Sequence, residues 1–266
     1  MKLKSIFVFI LFVSLTFTSD FSLVKSISTK TDFFTTDNLG NFYLTSGDVL
    51  DKYDKDGNLS KTYSNKSLGK LATIDVSNPM KLVLFYKESA QIIFLDNNLS
   101  LISSASSSLE KIGFGNASLV CGSYNDNVWI YDASKHEIKR FGFSEHSDLN
   151  IVYSGDINQM INIKLNPNFI IENSNRVFLN NPETGILVFD IFGTYNKTIP
   201  IKNLNNFQPT EDKIYYVKNK YLKTYDIKTM AEDSILLPDI SAISARIEKN
   251  RMYLQTPEAI KIFEKK

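Results

Sequence analysis

The segment Ile186-Leu187-Val188-Phe189-Asp190 decides the fold, because its pattern recurs along the chain. In each copy an apolar residue is followed four positions later by an acid, with an aromatic residue or leucine just before that acid. The six copies are Leu50–Asp54, Ile92–Asp96, Val128–Asp132, Ile186–Asp190, Leu222–Asp226 and Ile260–Glu264. The acids lie 42, 36, 58, 36 and 38 residues apart, and a second strand-like run precedes each copy.

A repeat of this length that consists of short strands is typical of a β-propeller. In the first repeat, 42–44 and 49–53 form a predicted hairpin, and the turn Asp54–Gly57 leads into an outer strand, 59–63. The later predicted hairpins are 82–86 with 91–95, 119–121 with 128–131, 177–179 with 186–189, 214–217 with 221–225 and 252–254 with 259–263. The sequence therefore predicts an all-β, six-bladed propeller. Seven blades are the alternative, if the longest interval holds a degenerate blade.

The last predicted hairpin lacks an outer strand of its own. The run Ser22–Ile27 precedes the first blade and is predicted to fill this place. Such a pairing would close the ring and remove an open sheet edge, which is the part of a β protein most prone to aggregation.

The first 19 residues have the pattern of a secretory signal peptide. Lys2 and Lys4 precede an apolar stretch, Ser5–Phe17, which is shorter than the roughly 20 helical residues that span a bilayer. We therefore expect residues 1–19 to be a signal peptide and residues 20–266 to be a single propeller domain. The expected location is the periplasm or the cell surface, with no transmembrane segment after signal cleavage.

The charge balance excludes one class of partner. The chain has 30 basic and 29 acidic residues, and the predicted cleavage removes two lysines. No block of like charge stands out, so no nucleic-acid partner is expected. We expect a monomer.

The interval of 58 residues between Asp132 and Asp190 breaks the repeat. Residues 150–153 are predicted to form a strand, and 156–161 at most one helical turn. Because this interval is the one irregularity of the chain, residues 142–169 are the first candidate for a recognition element.

Several residues invite a chemical interpretation, and each has a simpler structural one. Asp51, Asp54, Asp56 and Gly57 resemble part of a calcium-binding loop, but the loop's first and last positions carry the wrong residues, so a β-turn is favoured. The six repeated acids could form a ring of ligands. A repeated structural role is favoured, in which each carboxylate accepts hydrogen bonds from turn amides.

The residue types used in catalysis are scarce. Cys121 is the only cysteine and is interpreted as a small buried residue rather than a reactive thiol. The two histidines, His136 and His146, show neither a zinc spacing nor a partner motif for a nucleophile, and both are predicted in surface loops. Four polar loop segments recur near strand ends and are interpreted as turns: 78–79, 166–168, 180–183 and 256–258. The sequence thus predicts no catalytic, cofactor-binding or metal-binding residue and no cofactor.

The segment Gly185–Tyr195, which continues through 197–201 to 206–208, resembles a family of uncharacterised exported β-propeller proteins of Bacteroidota. Asp37–Tyr43 shares this resemblance. It covers nearly all of the chain after the signal and implies a propeller in the envelope of a flavobacterium-like cell, without implying an activity. The repeats also resemble WD and NHL propellers, but they lack the Gly-His and Trp-Asp pairs of WD repeats and the Asp boxes of sialidases.

These observations favour a non-catalytic, exported propeller that binds a protein or glycan partner, as an accessory to envelope assembly or secretion. The alternative is a metal-dependent hydrolase or lyase of lactonase-like type with a cation in its channel. Ligand oxygens that converge at about 2.3–2.6 Å from one point would favour the enzyme.

Overall fold

The computed structural model describes residues 20–102, 107–142 and 151–266 of the protein. The predicted signal peptide and His146 lie outside these ranges. Among the described residues, the strands form six antiparallel sheets of four strands each.

The sheets are the blades of a propeller, and we name the strands of each blade A to D from the inside outward. The chain begins with β1 (Phe21–Ser28). Blade 1 consists of β2 (Phe33–Thr36), β3 (Phe42–Ser46), β4 (Val49–Tyr53) and β5 (Leu59–Ser64). Blade 2 consists of β6 (Thr73–Asp75), β7 (Leu82–Tyr86), β8 (Gln91–Leu95) and β9 (Ser107–Ser108). Blade 3 consists of β10 (Ala117–Gly122), β11 (Asn127–Asp132), β12 (Glu137–Gly142) and β13 (Val152–Tyr153).

The second half of the chain repeats this arrangement. Blade 4 consists of β14 (Phe169–Asn173), β15 (Arg176–Asn181), β16 (Gly185–Asp190) and β17 (Tyr195–Ile199). Blade 5 consists of β18 (Gln208–Pro209), β19 (Lys213–Lys218), β20 (Tyr221–Asp226) and β21 (Glu232–Leu236). Blade 6 consists of β22 (Ser244–Glu248), β23 (Arg251–Gln255) and β24 (Ala259–Lys265), with β1 as its strand D. The helix α1 (Ile157–Ile161) and two 3-10 turns, Lys66–Leu68 and Glu110–Ile112, lie between blades.

The ring is closed by the first strand, as the sequence predicts. β1 pairs with β24 in antiparallel register from Phe21 opposite Lys265 to Ser28 opposite Ala259, with one irregularity after Leu23. The sheet of blade 6 therefore contains strands from both ends of the described chain.

Six hydrophobic clusters hold the blades together, one between each pair of neighbouring blades. In β11, for example, Val128 and Ile130 face blade 2, whereas Trp129 and Tyr131 face blade 4. Side chains alternate between the two faces of a strand, and both faces of a blade are covered by neighbours. This explains why the B and C strands are nearly continuous apolar runs.

Strand direction assigns every connection to one of two faces of the ring. The A–B and C–D turns share one face, which we call the AB face. The B–C turns and the connections from strand D to the next strand A share the other, which we call the DA face. Of the segment 142–169, residues 143–150 lie outside the described residues. Its described part contains β13 and α1, and α1 lies in the connection from β13 to β14 on the DA face.

The structure corrects the strand count of the third repeat. Asp132 ends strand B of blade 3, whereas Asp190 ends strand C of blade 4, so the two acids do not mark equivalent positions. The hairpin of 119–121 with 128–131 is accordingly an A–B pair rather than a B–C pair. The C strands end at Tyr53, Leu95, Gly142, Asp190, Asp226 and Lys265, which gives intervals of 42, 47, 48, 36 and 39 residues. The long interval therefore holds no seventh blade.

The structure adds one strand to the predicted plan of each blade and contains the predicted helical turn. The predicted repeat, a hairpin and an outer strand, accounts for three of the four strands of a blade. For most blades, the strand that it leaves out is the innermost one. The predicted helical turn exists as α1, where the Asp156 side chain caps the N-terminus by accepting a hydrogen bond from the Gln159 N–H at 3.3 Å.

In the described part of the chain, no helix has the length and apolar character needed to cross a membrane.

Candidate functional site

The central channel contains a cavity of about 310 Å³, lined mainly by innermost strands. Its DA end is apolar. Phe33 and Phe169 are the first residues of β2 and β14, and Phe207 directly precedes β18. The ring centroids of Phe33 and Phe169 are 6.3 Å apart, and Phe207 meets Phe169 edge-on at 5.2 Å. These three rings narrow the channel on the side where the A strands begin.

The AB end of the channel region carries carboxylates that join neighbouring blades. Glu172 of blade 4 accepts hydrogen bonds from Trp129 Nε1 at 2.6 Å, Ser123 Oγ at 2.5 Å and the Tyr124 N–H at 3.1 Å, all in blade 3. Asp75 of blade 2 accepts the Gly122 N–H of blade 3 at 2.8 Å. These hydrogen bonds connect Glu172 of blade 4 to blade 3 and Asp75 of blade 2 to blade 3.

Glu248 performs the same function on the opposite side of the channel. It is the last residue of β22 in blade 6. It accepts hydrogen bonds from Thr36 Oγ1 of blade 1 at 2.6 Å and from Gln208 Nε2 of blade 5 at 3.0 Å. Burial raises the pKa of Glu248, and burial also raises the pKa of Asp75.

These side chains do not form a metal site. Within residues 20–102, 107–142 and 151–266, no group of three or more His, Cys, Asp and Glu side chains could hold a metal ion.

A single guanidinium also lies in the channel. Arg246 of β22 lines the channel cavity and also a smaller cavity of about 80 Å³ between blades 5 and 6. It is fully enclosed by protein, and burial lowers its pKa from 12.5 to about 10. The channel cavity therefore contains groups of both charge signs.

A second cavity, which we call the 2–3 cleft, lies on the AB face between blades 2 and 3. It measures about 370 Å³. Its lining combines carboxylates, amides, hydroxyls and two apolar side chains: Asp75, Ser77, Asn78, Lys81, Val83, Phe94, Gly122, Ser123, Tyr124, Asn125, Asp126, Asn127 and Glu172. Because Asp75 lines this cleft and the channel cavity, the two cavities lie next to each other.

The rim of the 2–3 cleft is held in place by local contacts. The guanidinium of Arg140 lies 4.4 Å from the centroid of the Tyr124 ring. Lys81 pairs with Asp126 at 3.1 Å across the cleft and lies 4.8 Å from the centroid of the Phe94 ring. The cleft is thus a preformed concavity within the size range of small-molecule sites.

Most of the repeated acids have the structural role that the sequence favoured. Asp54, Asp96, Asp190 and Asp226 each accept two backbone N–H groups of the turn that follows, at 2.7–3.0 Å. These four turns are C–D turns on the AB face.

The other two repeated acids differ from this pattern. Asp132 accepts the Ser134 N–H at 3.0 Å and pairs with the buried Lys139 at 2.6 Å, in a B–C turn on the DA face. Glu264 accepts a hydrogen bond from Asn250 Nδ2 at 2.8 Å. Since one of the six lies on the opposite face, the acids form no ring of ligands.

The remaining sequence candidates are structural as well. Gly57 has a φ of +80°, and the turn amides of Asp56 and Asn58 donate to Asp54, so this loop is the predicted β-turn. Cys121 is buried, and burial raises the pKa of its thiol. His136 lies 3.2 Å from the Tyr131 hydroxyl in a B–C turn.

Two of the four polar loop segments, 78–79 and 256–258, lie in turns, as predicted. The other two differ from the prediction, because Asn180 and Asn181 are the last residues of β15 and 166–168 lead into β14. The Asn78 side chain accepts the Met80 N–H at 3.0 Å, and Thr256 exchanges hydrogen bonds with Ala259 at 3.0 Å. Asn180 is fully buried and donates to Asn168 and to the carbonyl of Leu204.

Sequence reasoning missed the channel side chains Asp75, Glu172, Arg246 and Glu248. The innermost strands that carry them are short and polar at their ends, so they lack the apolar run that marks strands B and C. The alternation Arg246-Ile247-Glu248 beside a predicted hairpin was the available signal.

No protein-family model matches the chain, and no curated protein matches it. Solved structures do match the chain. Virginiamycin B lyase from Staphylococcus aureus aligns with a TM-score of 0.61 at 10% identity, over 92% of this chain and 99% of that chain. The Pan2 WD40 domain of Neurospora crassa aligns with a TM-score of 0.59 at 8% identity, over 92% and 95% of the two chains. A chain of the mitotic checkpoint complex aligns with a TM-score of 0.61 at 7% identity, over 98% and 99%. At such identities the likeness shows the β-propeller fold alone.

Proposed function

We propose that this protein is a non-catalytic binding propeller of the bacterial cell envelope and that it holds a partner protein on its AB face. The observation that carries this proposal is the 2–3 cleft. It is preformed, and its two deep carboxylates, Asp75 and Glu172, are already engaged by hydrogen bonds within the protein. The cleft therefore offers a shaped surface for contact rather than free groups for catalysis.

Exposed apolar side chains beside the cleft and elsewhere on the AB face support a protein partner. Met80 follows the cleft residue Asn78 in the same turn and is 63% exposed. Phe192 is 66% exposed and sits in a turn whose amides are bound by Asp190. A rigid turn that keeps Met or Phe in water presents the residue types that protein interfaces favour.

The envelope part of the proposal rests on the sequence. Residues 1–19 have the signal pattern, and the resemblance is to exported proteins of Bacteroidota. Among solved propellers, BBS1N is described in complex with ARL6DN, and another belongs to the mitotic checkpoint complex. In this chain, the corresponding role would be that of an accessory to envelope assembly or secretion.

The test compares two faces of the same protein. Residues 20–266 are immobilised and exposed to solubilised envelope proteins of a flavobacterial cell, and retained proteins are quantified by mass spectrometry. The AB-face variant combines Met80→Ser with Tyr124→Ser. The matched control combines Ile240→Ser with Ile243→Ser, which are 55% and 59% exposed on the DA face. Thermal unfolding verifies that all three proteins are folded.

We expect a protein that the wild type and the DA-face variant retain equally and that the AB-face variant retains at least tenfold less. Equal retention by the two variants would contradict the assignment of the face. Retention that survives protease treatment of the extract would identify a glycan and overturn the protein partner.

A further inference from the structure

The A–B turns around the channel mouth are apolar on one half of the ring and polar on the other. The turns of blades 1, 2 and 3 carry Leu39, Met80 and Tyr124, which are 55%, 63% and 36% exposed. In blades 4, 5 and 6, the corresponding turn residues are polar or charged: 174–175, 211–212 and 249–250. Among these six turns, large exposed apolar side chains thus lie on one half only.

The three apolar turns are held rigid by side-chain oxygens. Each of the three exposed residues donates its backbone N–H to such an oxygen at 3.0–3.1 Å, and the acceptors are Asp37, Asn78 and Glu172 in the order of the blades. Because the turns are already ordered, a partner that covers them loses little affinity to the ordering of loops.

The apolar turns adjoin the two cavities of this face. Asn38, the neighbour of Leu39, lines the channel cavity together with Ser77 of blade 2. Asn78 of the same blade and Tyr124 of blade 3 line the 2–3 cleft. The three turns therefore form one arc along the channel mouth, and the 2–3 cleft opens within this arc.

The 2–3 cleft has more carboxylates than cations. Asp75, Asp126 and Glu172 belong to its lining, and Lys81 is the one basic residue of that lining. Lys81 pairs with Asp126. Asp75 and Glu172 accept hydrogen bonds from uncharged donors, and neither forms an ion pair among the described residues. Uncharged donors orient a carboxylate without cancelling its charge, so the cleft complements a cation.

Aromatic rings in the cleft suit a cation as well. Lys81 Nζ already lies 4.8 Å from the centroid of the Phe94 ring, which is part of the lining. Tyr124 provides a second ring, which stacks with the guanidinium of Arg140 at 4.4 Å. Within the described residues, Arg140 pairs with no carboxylate. Ring faces next to carboxylates are the surroundings that Arg and Lys side chains prefer.

We propose, on the basis of the proposed function, that the partner protein binds the AB face through an apolar segment that contains an Arg or Lys. Its apolar side chains cover Leu39, Met80 and Tyr124, and its cation enters the 2–3 cleft beside Glu172. Charge complementarity in the cleft and apolar surface on the arc together select this occupant. An acidic segment would meet like charge, and a neutral glycan would leave the apolar turns in water.

The first experiment uses Trp129 as the reporter, because its Nε1–H is the only indole N–H of the chain and donates to Glu172. ¹⁵N-labelled protein, residues 20–266, is titrated with the blocked pentapeptide Gly-Leu-Arg-Leu-Gly, and the indole signal is followed by NMR. In one comparison peptide Glu replaces Arg, and in the other Ser replaces both leucines. We expect a saturable shift with the first peptide and at least tenfold weaker binding of the other two.

The second experiment uses two substitutions that should change the affinity in opposite directions. Lys81→Gln removes the competing cation and should tighten binding of the arginine peptide at least threefold. Asp126→Asn removes a carboxylate of the rim and should weaken binding by a similar factor. The control Glu183→Gln removes an exposed acid on the DA face and should leave the affinity unchanged. Thermal unfolding verifies that all variants are folded.

Three results would overturn this partner chemistry: no saturable binding of the arginine peptide, equal binding of the Arg and Glu peptides, or changes of the same sign in Lys81→Gln and Asp126→Asn. The proposed function would still stand if the variant with Met80→Ser and Tyr124→Ser loses an envelope protein that the wild type retains. Conversely, selective binding of the arginine peptide by a protein that retains no envelope protein would support the chemistry of the cleft and contradict the proposed function.

Discussion

The backbone N–H of Lys266 donates to the carbonyl oxygen of Asp20 at 2.9 Å, so the two ends of the described chain are hydrogen-bonded to each other. Asp20 directly precedes β1, and Lys266 directly follows β24. The bond extends the antiparallel ladder that completes blade 6. Without this ladder, β24 would be an open edge.

We predict that removal of residues 20–28 lowers the melting temperature by about 10 °C or more, because the loss of β1 also exposes the apolar side chains that it covers. Differential scanning calorimetry measures the change, and size-exclusion chromatography should show self-association through the open edge. The control is Val24→Ser, an exposed position of the same strand, which should change the melting temperature little. A truncated protein that melts like the wild type would show that ring closure contributes little.

The repeat that reveals the propeller depends on burial of both faces of strands B and C. Val188 and Phe189 pack against different neighbouring blades, so the run that contains them is apolar throughout and visible in the sequence. Strand A is different because its ends reach the channel and the turns. In β6, for example, Thr73 and Asp75 flank a single apolar residue, which gives no periodic signal.

The repeat in the sequence places Asp132 at the end of a C strand, whereas it ends a B strand. The prediction was wrong because an acid has the same role in a B–C turn and in a C–D turn. Asp132 and Asp190 both end an apolar run and both accept the N–H two residues later. Only the pairing partners of the two strands distinguish them, and those lie outside the local sequence. The channel cavity could not be predicted for a similar reason. Arg246 and Asp75 are far apart in the sequence and line one cavity only because the ring closes.

The bond between Glu172 and Trp129 gives a spectroscopic prediction. Glu172→Ala leaves Trp129 Nε1 and the Tyr124 N–H without their acceptor, so we expect a loss of about 3 kcal/mol in the free energy of unfolding. Trp129 is the only tryptophan of the chain and is fully buried, so its emission should shift when blade 3 loosens. Urea unfolding followed by fluorescence measures both effects.

Glu183 is exposed and lies in blade 4, as Glu172 does, so it provides the control for this experiment. Glu183→Ala should leave the emission and the stability unchanged. An emission maximum of Glu172→Ala that equals the wild-type value, together with unchanged stability, would show that this carboxylate does not hold blades 3 and 4 together.

A pair of glycines tests the backbone of blade 4. Gly185 has a φ of +124°, and a Cβ at this position would overlap the carbonyl oxygen of Ile199 in the neighbouring strand. Gly185→Ala should therefore cost about 3 kcal/mol or more. Gly47 also has a positive φ, of +60°, but a Cβ there would meet open space, so Gly47→Ala should cost only about 1 kcal/mol. Chemical denaturation of both variants measures the difference, and equal losses would refute the steric explanation.

The pair of Asp239 and Lys261 predicts a dependence of stability on pH. Lys261 Nζ lies 2.5 Å from Asp239 Oδ2, and this contact is the main reason that the pKa of Asp239 falls from 3.8 to about 2. The folded state therefore binds a proton less readily than the unfolded state. The stabilisation is complete above pH 3.8 and is lost as the pH falls through about 2.

We expect Asp239→Asn to reduce the free energy of unfolding at pH 7 and to flatten its decline between about pH 4 and pH 2, since the side chain no longer titrates. Lys261→Met should flatten the same part of the curve, because it removes the partner that lowers the pKa. Urea unfolding at a series of pH values measures these curves. If the wild type and Asp239→Asn lose stability in parallel over this range, the acid dependence belongs to other carboxylates and the pair contributes nothing measurable.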